Sequence, residues 1–416
     1  MRIVADLHIH SKYSRACSKE LDLEHNYLWA KTKGLDIVGT GDFTHPVWFK
    51  ELQEKLVEAR PGLFQLRGTV GGALFMLTTE LSCIYSQGGK TRRIHLCVLA
   101  PDFKTIEKIN QELTKRGVNL KADGRPIMGL SAMALTELIL TVNPQAMVIP
   151  AHAWTPWFSV FGSNSGFDSL LDCFGNMTKY IYAIETGLSS DPAMNWRLSA
   201  LDNITLISNS DAHSSQNLGR EANVFDLTDK QLSFSEICHV LKNKDKNKFL
   251  YTIEFFPQEG KYHWDGHRDC GVQLSPAQSK KLNGICPKCK RRLTIGVDNR
   301  VDRLADRPID YKSDFIPFKS LVPLAEIIGE VMGVGAHSKK VTKVYQDIIS
   351  QGGSEFKVLI DLSVDQLQKI TQPEIAQAII NVRNGKVKIS PGYDGVYGQV
   401  EVGISLKLKQ QQKALF

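Results

Sequence analysis

The sequence predicts an α/β fold: a distorted (β/α)7 barrel, then a small zinc-binding module, then a mainly helical C-terminal domain. Three observations lead there. Up to about Pro257, short β-branched runs alternate with helical patterns. Seven of those runs carry or end in His, Asp or Glu. Beyond Pro257 the character changes, and three of the eight cysteines gather with histidines in one short stretch.

The strand runs fall at residues 2–7, 36–40, 74–84, 93–100, 146–150, 180–184 and 205–208. Helical patterns fall at 24–33, 48–58, 105–116, 132–141, 169–176 and 192–200. Such alternation implies parallel strands with helices outside. Seven strands suit a closed barrel better than an open sheet, and in such barrels the active site forms at the C-terminal strand ends.

The polar residues fall mostly where that rule wants them. The first run, Val4-Ala5-Asp6-Leu7, leads into His8-Ile9-His10. Alternate residues of a strand face one side, so His8 and His10 can aim at one point, as metal ligands do. The second run leads into Gly41-Asp42-Phe43-Thr44-His45. The third carries Glu80, the fourth His95; the fifth ends in Pro150-Ala151-His152, the sixth in Glu185, the seventh in Asn209-Ser210-Asp211-Ala212-His213. Singly, each has an ordinary explanation: a hydrogen-bonded core histidine, a charge at a helix start, a helix cap. Jointly they point to cations, because gathering carboxylates in an interior is costly without them.

The chain has 416 residues, 42% hydrophobic and 23% charged, which is ordinary for a folded protein. No apolar run is long enough to cross a bilayer. The first residues already carry polar ligands, unlike a signal peptide, so the expected location is the cytoplasm and no membrane partner is expected. Cys17, Cys83, Cys97, Cys173 and Cys238 lie among apolar neighbours and read as buried thiols. A formal charge of +7 permits a polyanionic partner without demanding one.

Taken together, the Asp-Leu-His-x-His-Ser start, the Gly-x-Asp turn, the strand Glu, the Pro-Ala-His and the late Ser-Asp-Ala-His resemble the polymerase and histidinol phosphatase (PHP) superfamily. The resemblance covers residues 1–255. It implies a distorted seven-stranded barrel that hydrolyses phosphoesters with up to three divalent metals (Zn, Mg, Mn or Fe). By motif position it implies His8, His10, Glu80, His95, His152, Asp211 and His213 as ligands, with Asp42 and Glu185 beside them, and Asp211, His152 and Glu80 at the chemistry. The chain departs from the pattern twice. Many relatives have Thr-Asp-His where this chain has Gly41-Asp42-Phe43, so either Asp42 serves alone or His45 moves in. Arg15 follows Tyr13-Ser14, where many relatives have an acidic or His ligand.

In residues 256–300, His267-x-x-Cys270 precedes Cys286-Pro-Lys-Cys289. This is a zinc-ribbon spacing with His in place of one Cys. It predicts one structural zinc on His267, Cys270, Cys286 and Cys289, with His263 as a competing fourth ligand. The flanks are basic: Lys280, Lys281, Lys288, Lys290, Arg291 and Arg292. They read either as a phosphate-backbone contact or as a solvated charged face.

Residues 301–408 form the predicted C-terminal DNA-contacting domain, with helices over 322–353, 364–370 and 373–384. Within it, Gly333-Val-Gly335 opens a helix bearing Ser338, Lys339 and Lys340, which suits a phosphate. The loop Ser390-Pro-Gly-Tyr393-Asp-Gly-Val-Tyr397-Gly is too rich in glycine for a helix. Barrel, His/Cys module, Leu304-Ala-Asp-Arg307 and this loop together resemble the endonuclease Q family. That resemblance implies nicking of DNA on the 5′ side of deaminated bases (uracil, hypoxanthine, xanthine) and abasic sites. A single altered base is usually reached by extruding it into a pocket, for which Trp154, Trp157, Tyr393 and Tyr397 are candidate walls.

Residues 409–416 read as a flexible tail. Gln412, Leu415 and Phe416 fit the Gln-x-x-Leu-Phe pattern by which bacterial proteins bind the sliding clamp, a short motif presenting two apolar anchors. The competing function is a PHP-type phosphatase on a small phosphorylated substrate; the basic module and the long C-terminal region argue against it.

Overall fold

The structure, a computed structural model, describes residues 1–312 and 314–403. The clamp-type motif at Gln412, Leu415 and Phe416 lies outside them.

The main sheet runs in the order Phe318–Ser320, Phe249–Glu254, Ala222–Asp226, Arg2–Asp6, Ile37–Gly39, Leu74–Gln87, Leu63–Leu66, Leu56–Arg60. Lys90–Ala100 and Met147–Pro150 extend it from Leu74–Gln87. Arg2–Asp6, Ile37–Gly39 and Leu74–Gln87 are parallel neighbours, as alternation predicts. The rest is not uniformly parallel. Leu74–Gln87 and Lys90–Ala100 form a long antiparallel hairpin, Met147–Pro150 is antiparallel to Lys90–Ala100, and Ala222–Asp226 is antiparallel to Arg2–Asp6. The reason is local. Gly88 and Gly89 both take positive φ, 61° and 70°, which makes a two-residue hairpin turn and sends the chain straight back.

Helix predictions differ from the structure mainly at ends. The helix expected over 48–58 is Pro46–Lys55, and Leu56–Arg60 is a strand paired with Leu63–Leu66. Gly62, at φ 71°, closes that hairpin so that Leu63, Phe64 and Leu66 reach the core. Helix starts follow capping chemistry: Asp22, Asp102, Ser131 and Ser233 each accept a backbone N–H three residues on.

One apolar cluster organises this part of the chain. Ile3, Ala5 and Leu7 pack with Ile37, Met76, Leu99, Ile149, Ala183, Ile207 and Phe225. Strand alternation does this: one set of side chains from each strand points to a shared interior. The ladder itself is not continuous around that interior. Ala183–Glu185 and Thr205–Ile207 pair only with each other. The Asn223 side chain spans the gap, accepting from Ser208 N at 3.0 Å and donating to Ser208 O at 2.8 Å.

Residues after Pro257 build two smaller units on this base. Asp265–His267 and Val272–Leu274 form a hairpin, and Arg300 anchors the unit by donating to Phe161 O at 2.8 Å and Phe167 O at 2.9 Å. The C-terminal helices Leu324–Met332, Lys339–Gly352, Val364–Ile370 and Pro373–Arg383 pack together. They are tied to the first helix, Leu23–Lys33, through a buried pair, Lys33 Nζ to Glu355 Oε2 at 2.7 Å. Tyr345 also donates to Glu355 Oε2, at 2.6 Å. Among the described residues, no helix is long and apolar enough to cross a membrane.

Candidate metal centre

Three chain turns place the site. Asp42 (φ 49°), His152 (φ 30°) and Asp211 (φ 47°) all take left-handed backbone, each just beyond a strand end. Non-glycine residues do so at a cost of about 1–3 kcal/mol each and cluster at functional sites. The turns aim these side chains back over the strand ends, toward His8 and His10.

Three groups of donors converge there. One is His8, Cys97 and Glu185; of the other two, His8, His10, Glu80 and Asp211 form one, and Glu80, His95 and His152 form the other. Glu80 is fully buried and serves both. Its Oε2 lies 3.4 Å from His10 Nε2 and 3.7 Å from His8 Nε2. Its Oε1 lies 2.7 Å from His95 Nδ1 and 3.0 Å from His152 Nε2. Asp211 Oδ1 is 3.0 Å from His10 Nε2 and 3.7 Å from His8 Nε2.

The donor set fits divalent cations. His8 Nε2 is buried with no hydrogen-bond partner and faces the two carboxylates. An orphaned imidazole nitrogen beside buried carboxylates is costly unless a cation joins them. Burial works against charge on His8, and the acidic groups of Cys97, Glu185 and Glu80 override it, raising its pKa well above the ordinary value. For Glu80 the balance runs the other way. Burial opposes its charge, but His95, Arg125 and His8 hold it well below the carboxylate range. Burial dominates at His95, whose pKa is pushed down to about 4, leaving its imidazole neutral at pH 7.

Asp42, grouped by sequence with the ligands, sits behind them, outside the donor groups, whereas Glu185 both braces His8 and belongs to the group with Cys97. Glu185 Oε2 meets the far nitrogen of His8, Nδ1, at 2.9 Å, and accepts His152 N at 3.0 Å; Oε1 accepts Asn209 Nδ2 at 2.8 Å. Asp42 Oδ1 meets His10 Nδ1 at 3.1 Å, while Oδ2 accepts Ser11 N, Ser11 Oγ and Ser14 Oγ at 2.7, 2.7 and 2.8 Å. Carboxylates in that position orient a ligating histidine and raise its basicity. His45, the alternative to Asp42, caps the helix Pro46–Lys55 and stacks on Tyr13, and neither residue belongs to a donor group. His213 lies outside the donor groups; its ring stands 4.6 Å from that of His10, and Nδ1 donates to Asp211 O at 2.8 Å.

The donors lie at the floor of a cavity of about 1170 Å³, larger than the ~300–1,000 Å³ of small-ligand pockets. Arg15, Arg93, Arg125, Arg220 and Lys261 line it together with Asp123, Glu185, Asp211, Glu259 and Glu326, so the walls carry both signs and offer cationic contacts to an anion beside the donor groups. Trp157 is on the wall, its ring 5.6 Å from that of Tyr262, and Tyr397 lines the mouth at 71% exposure. Trp154 is not a wall. It is fully buried, packs on Phe161 and donates to Asn195 Oδ1 at 2.7 Å. Tyr393 is absent from the lining and packs against Gly266, where a Cβ would collide with its ring. Lys290, Arg291 and Arg292 are exposed on the cysteine turn and do not line the cavity.

That turn forms a separate donor group: His267, Cys270, Cys286 and Cys289, with His267 Nε2 3.8 Å from Cys289 Sγ. Burial opposes the Cys286 thiolate, but backbone N–H groups of Cys289 and Lys288 outweigh it and lower its pKa. His263, the competing fourth ligand, is buried outside this group.

Two solved structures match nearly all of this chain. One is the lesion-specific endonuclease PfuEndoQ of Pyrococcus furiosus: TM-score 0.85, 33% identity, 96% of this chain and 95% of that one. The other is endonuclease Q with a 27-mer duplex carrying an abasic lesion at the active site: TM-score 0.85, 34% identity, 98% of each. The chain belongs to the endonuclease Q family. A family described as the MJ0043 C-terminal domain matches residues 323–386 of this chain. The protein MJ0043 of Methanocaldococcus jannaschii is 34% identical over 254 residues; the match covers 60% of this chain and 31% of that protein, so the chain spans about a third of its length. YqxK of Bacillus subtilis is 29% identical over 420 residues, covering 96% of this chain and 99% of YqxK.

Three contributors to the site stand outside the sequence motifs. Cys97, read only as a buried thiol, lies 3.7 Å from Glu185 Oε1. Its spacing from His95 was the available signal, since both share a strand face. Asn209, beside Asp211, holds Glu185. Arg125 donates to Glu80 Oε2 at 2.9 Å from an irregular loop with no periodicity to flag it.

Proposed function

We propose that this chain is a metal-dependent DNA repair endonuclease that nicks the phosphodiester on the 5′ side of deaminated bases (uracil, hypoxanthine, xanthine) and abasic sites. One observation carries the reading: two donor groups share the buried Glu80, and their members His95, His152 and Asp211 reach a cavity of about 1170 Å³, roomy enough for more than a small phosphomonoester. The neighbour holding an abasic duplex at its active site supports the lesion side of it.

Divalent ions on these donors would neutralise a phosphate and lower the pKa of a water for attack on phosphorus. The chain's own residues set the stage for that. His8 and His10 present Nε2 atoms whose direction Glu185 and Asp42 fix from behind. Glu80 bridges the two groups. Asp211, 27% exposed, is the carboxylate that opens toward the cavity. Ser159 Oγ lies 3.2 Å from His152 Nδ1 and keeps that ring's other nitrogen forward. Trp157 and Tyr397 offer faces for an extruded base. This reading takes residues 1–255 as a PHP-type barrel, 256–300 as a module on one structural zinc, 301–408 as the DNA-contacting domain, and 409–416 as a tail for a bacterial sliding clamp.

The test is nicking of uracil, hypoxanthine, xanthine and abasic duplexes with Mg²⁺, Mn²⁺ or EDTA. Nicking that needs metal, lost in Asp211→Asn with duplex binding retained, is the expected result. Hydrolysis of small phosphomonoesters with intact lesion DNA would overturn the reading in favour of a phosphatase.

A further inference from the structure

The donor groups account for the acidic and imidazole side chains at the cavity floor, but a cation stands among them. Arg125 Nη1 donates to Glu80 Oε2 at 2.9 Å, on the carboxylate oxygen that faces His8 and His10. Its backbone is tightly placed. Gly124 N donates to Tyr13 O at 3.0 Å, Arg125 N to Asp123 Oδ1 at 3.1 Å, and Ser82 N to Pro126 O at 3.1 Å. Gly124 passes so close to Asp42 and Ser14 that a Cβ there would collide with both.

The guanidinium is otherwise uncommitted. Among the described residues, Glu80 is its one hydrogen-bond partner, and the side chain is 24% exposed in the cavity lining. The nearby Asp123 is engaged by Arg15, through Arg15 N at 3.4 Å and Nε at 3.4 Å. With divalent ions on both donor groups, Glu80 is compensated twice. A fixed guanidinium against it is then repelled unless an anion lies between. Arginine's planar fork matches the oxygens of a phosphate.

We propose that Arg125 is a catalytic residue, donating from its free N–H groups to a non-bridging oxygen of the phosphodiester that is cut. This rests on the hydrolytic reading above. Charge growing on that oxygen as the water attacks is met by a donor already in place, independent of the metal pair.

The test compares the full-length wild type with Arg125→Gln and Arg125→Lys. Three quantities are read: single-turnover nicking of an abasic duplex at saturating Mn²⁺, bound metal by elemental analysis, and duplex affinity in EDTA across salt concentrations. Arg125→Gln should slow nicking by about 100- to 1,000-fold with metal content unchanged. Its salt slope for binding should fall by about one phosphate contact. Arg125→Lys should recover part of the rate. An unchanged rate in Arg125→Gln, or a loss matched by loss of bound metal, overturns the proposal. If the wild type nicks no lesion duplex, the hydrolytic reading falls instead, and the salt slope in EDTA still decides whether Arg125 contacts phosphate.

Discussion

Among the described residues, donor groups suited to metal ions fall in two regions, and these are built differently. The His/carboxylate floor lies on strand ends above an apolar cluster drawn from most of the strands. The His/Cys group lies between short turns, over a core of only Val272, Cys286 and Leu293. The first is a site that a folded scaffold presents. The second has too little apolar surface to fold alone, and its ion would supply what the core lacks. On this reading the same kind of donor chemistry would serve function in one region and folding in the other.

The comparison is broken most sharply at the shared carboxylate. Glu80→Gln should lower nicking by at least ~1,000-fold, as losing a central catalytic group does, while thermal unfolding stays close to wild type. Unfolding of the whole chain would show that the scaffold also depends on its ions. Cys286→Ser should do the reverse. One zinc per chain should be lost and residues 257–296 should become sensitive to protease, measured by elemental analysis and mass-mapped digestion. An intact, protease-resistant module would remove the distinction.

Two smaller effects sharpen the contrast. Glu185→Gln should weaken metal binding about 10- to 100-fold, read by metal titration, because His8 loses the acceptor that fixes its ring. Glu254→Gln should change stability without touching the donor groups. Burial pushes Glu254 up from 4.5 to about 8, and its neighbour Glu221 is also raised, by burial and by Glu254. The folded chain therefore keeps a proton that the unfolded chain releases. Stability is fully present below 4.5 and is lost as pH rises through about 8. Glu254→Gln should flatten that fall and raise the melting temperature by a few degrees at alkaline pH. Identical melting curves across pH for both proteins would remove Glu254 from the account.

Much of the site is legible in the sequence because strands have period two. His8 and His10 share a face, and most of the predicted strands lead directly into an ionisable residue. What the sequence hides is which side of a histidine a carboxylate occupies. Asp42 has the right chemistry at the right strand end, and only the fold puts it behind the ring of His10. Strand direction was partly readable, since Gly88-Gly89 between two β-branched runs is a hairpin signal that outweighs the alternation rule. Trp154 shows the converse error: proximity to His152 in sequence says nothing about which way a large ring turns, and the core takes it.

The left-handed turns at Asp42, His152 and Asp211 leave a mark on the chain's history. Glycine would relax each of them, so the sequence keeps three side chains where the backbone alone would discard them. Asp211→Gly is therefore expected to give a protein more resistant to heat than its parent that still binds duplex DNA but does not nick it. Selection for durability alone would erode this centre first.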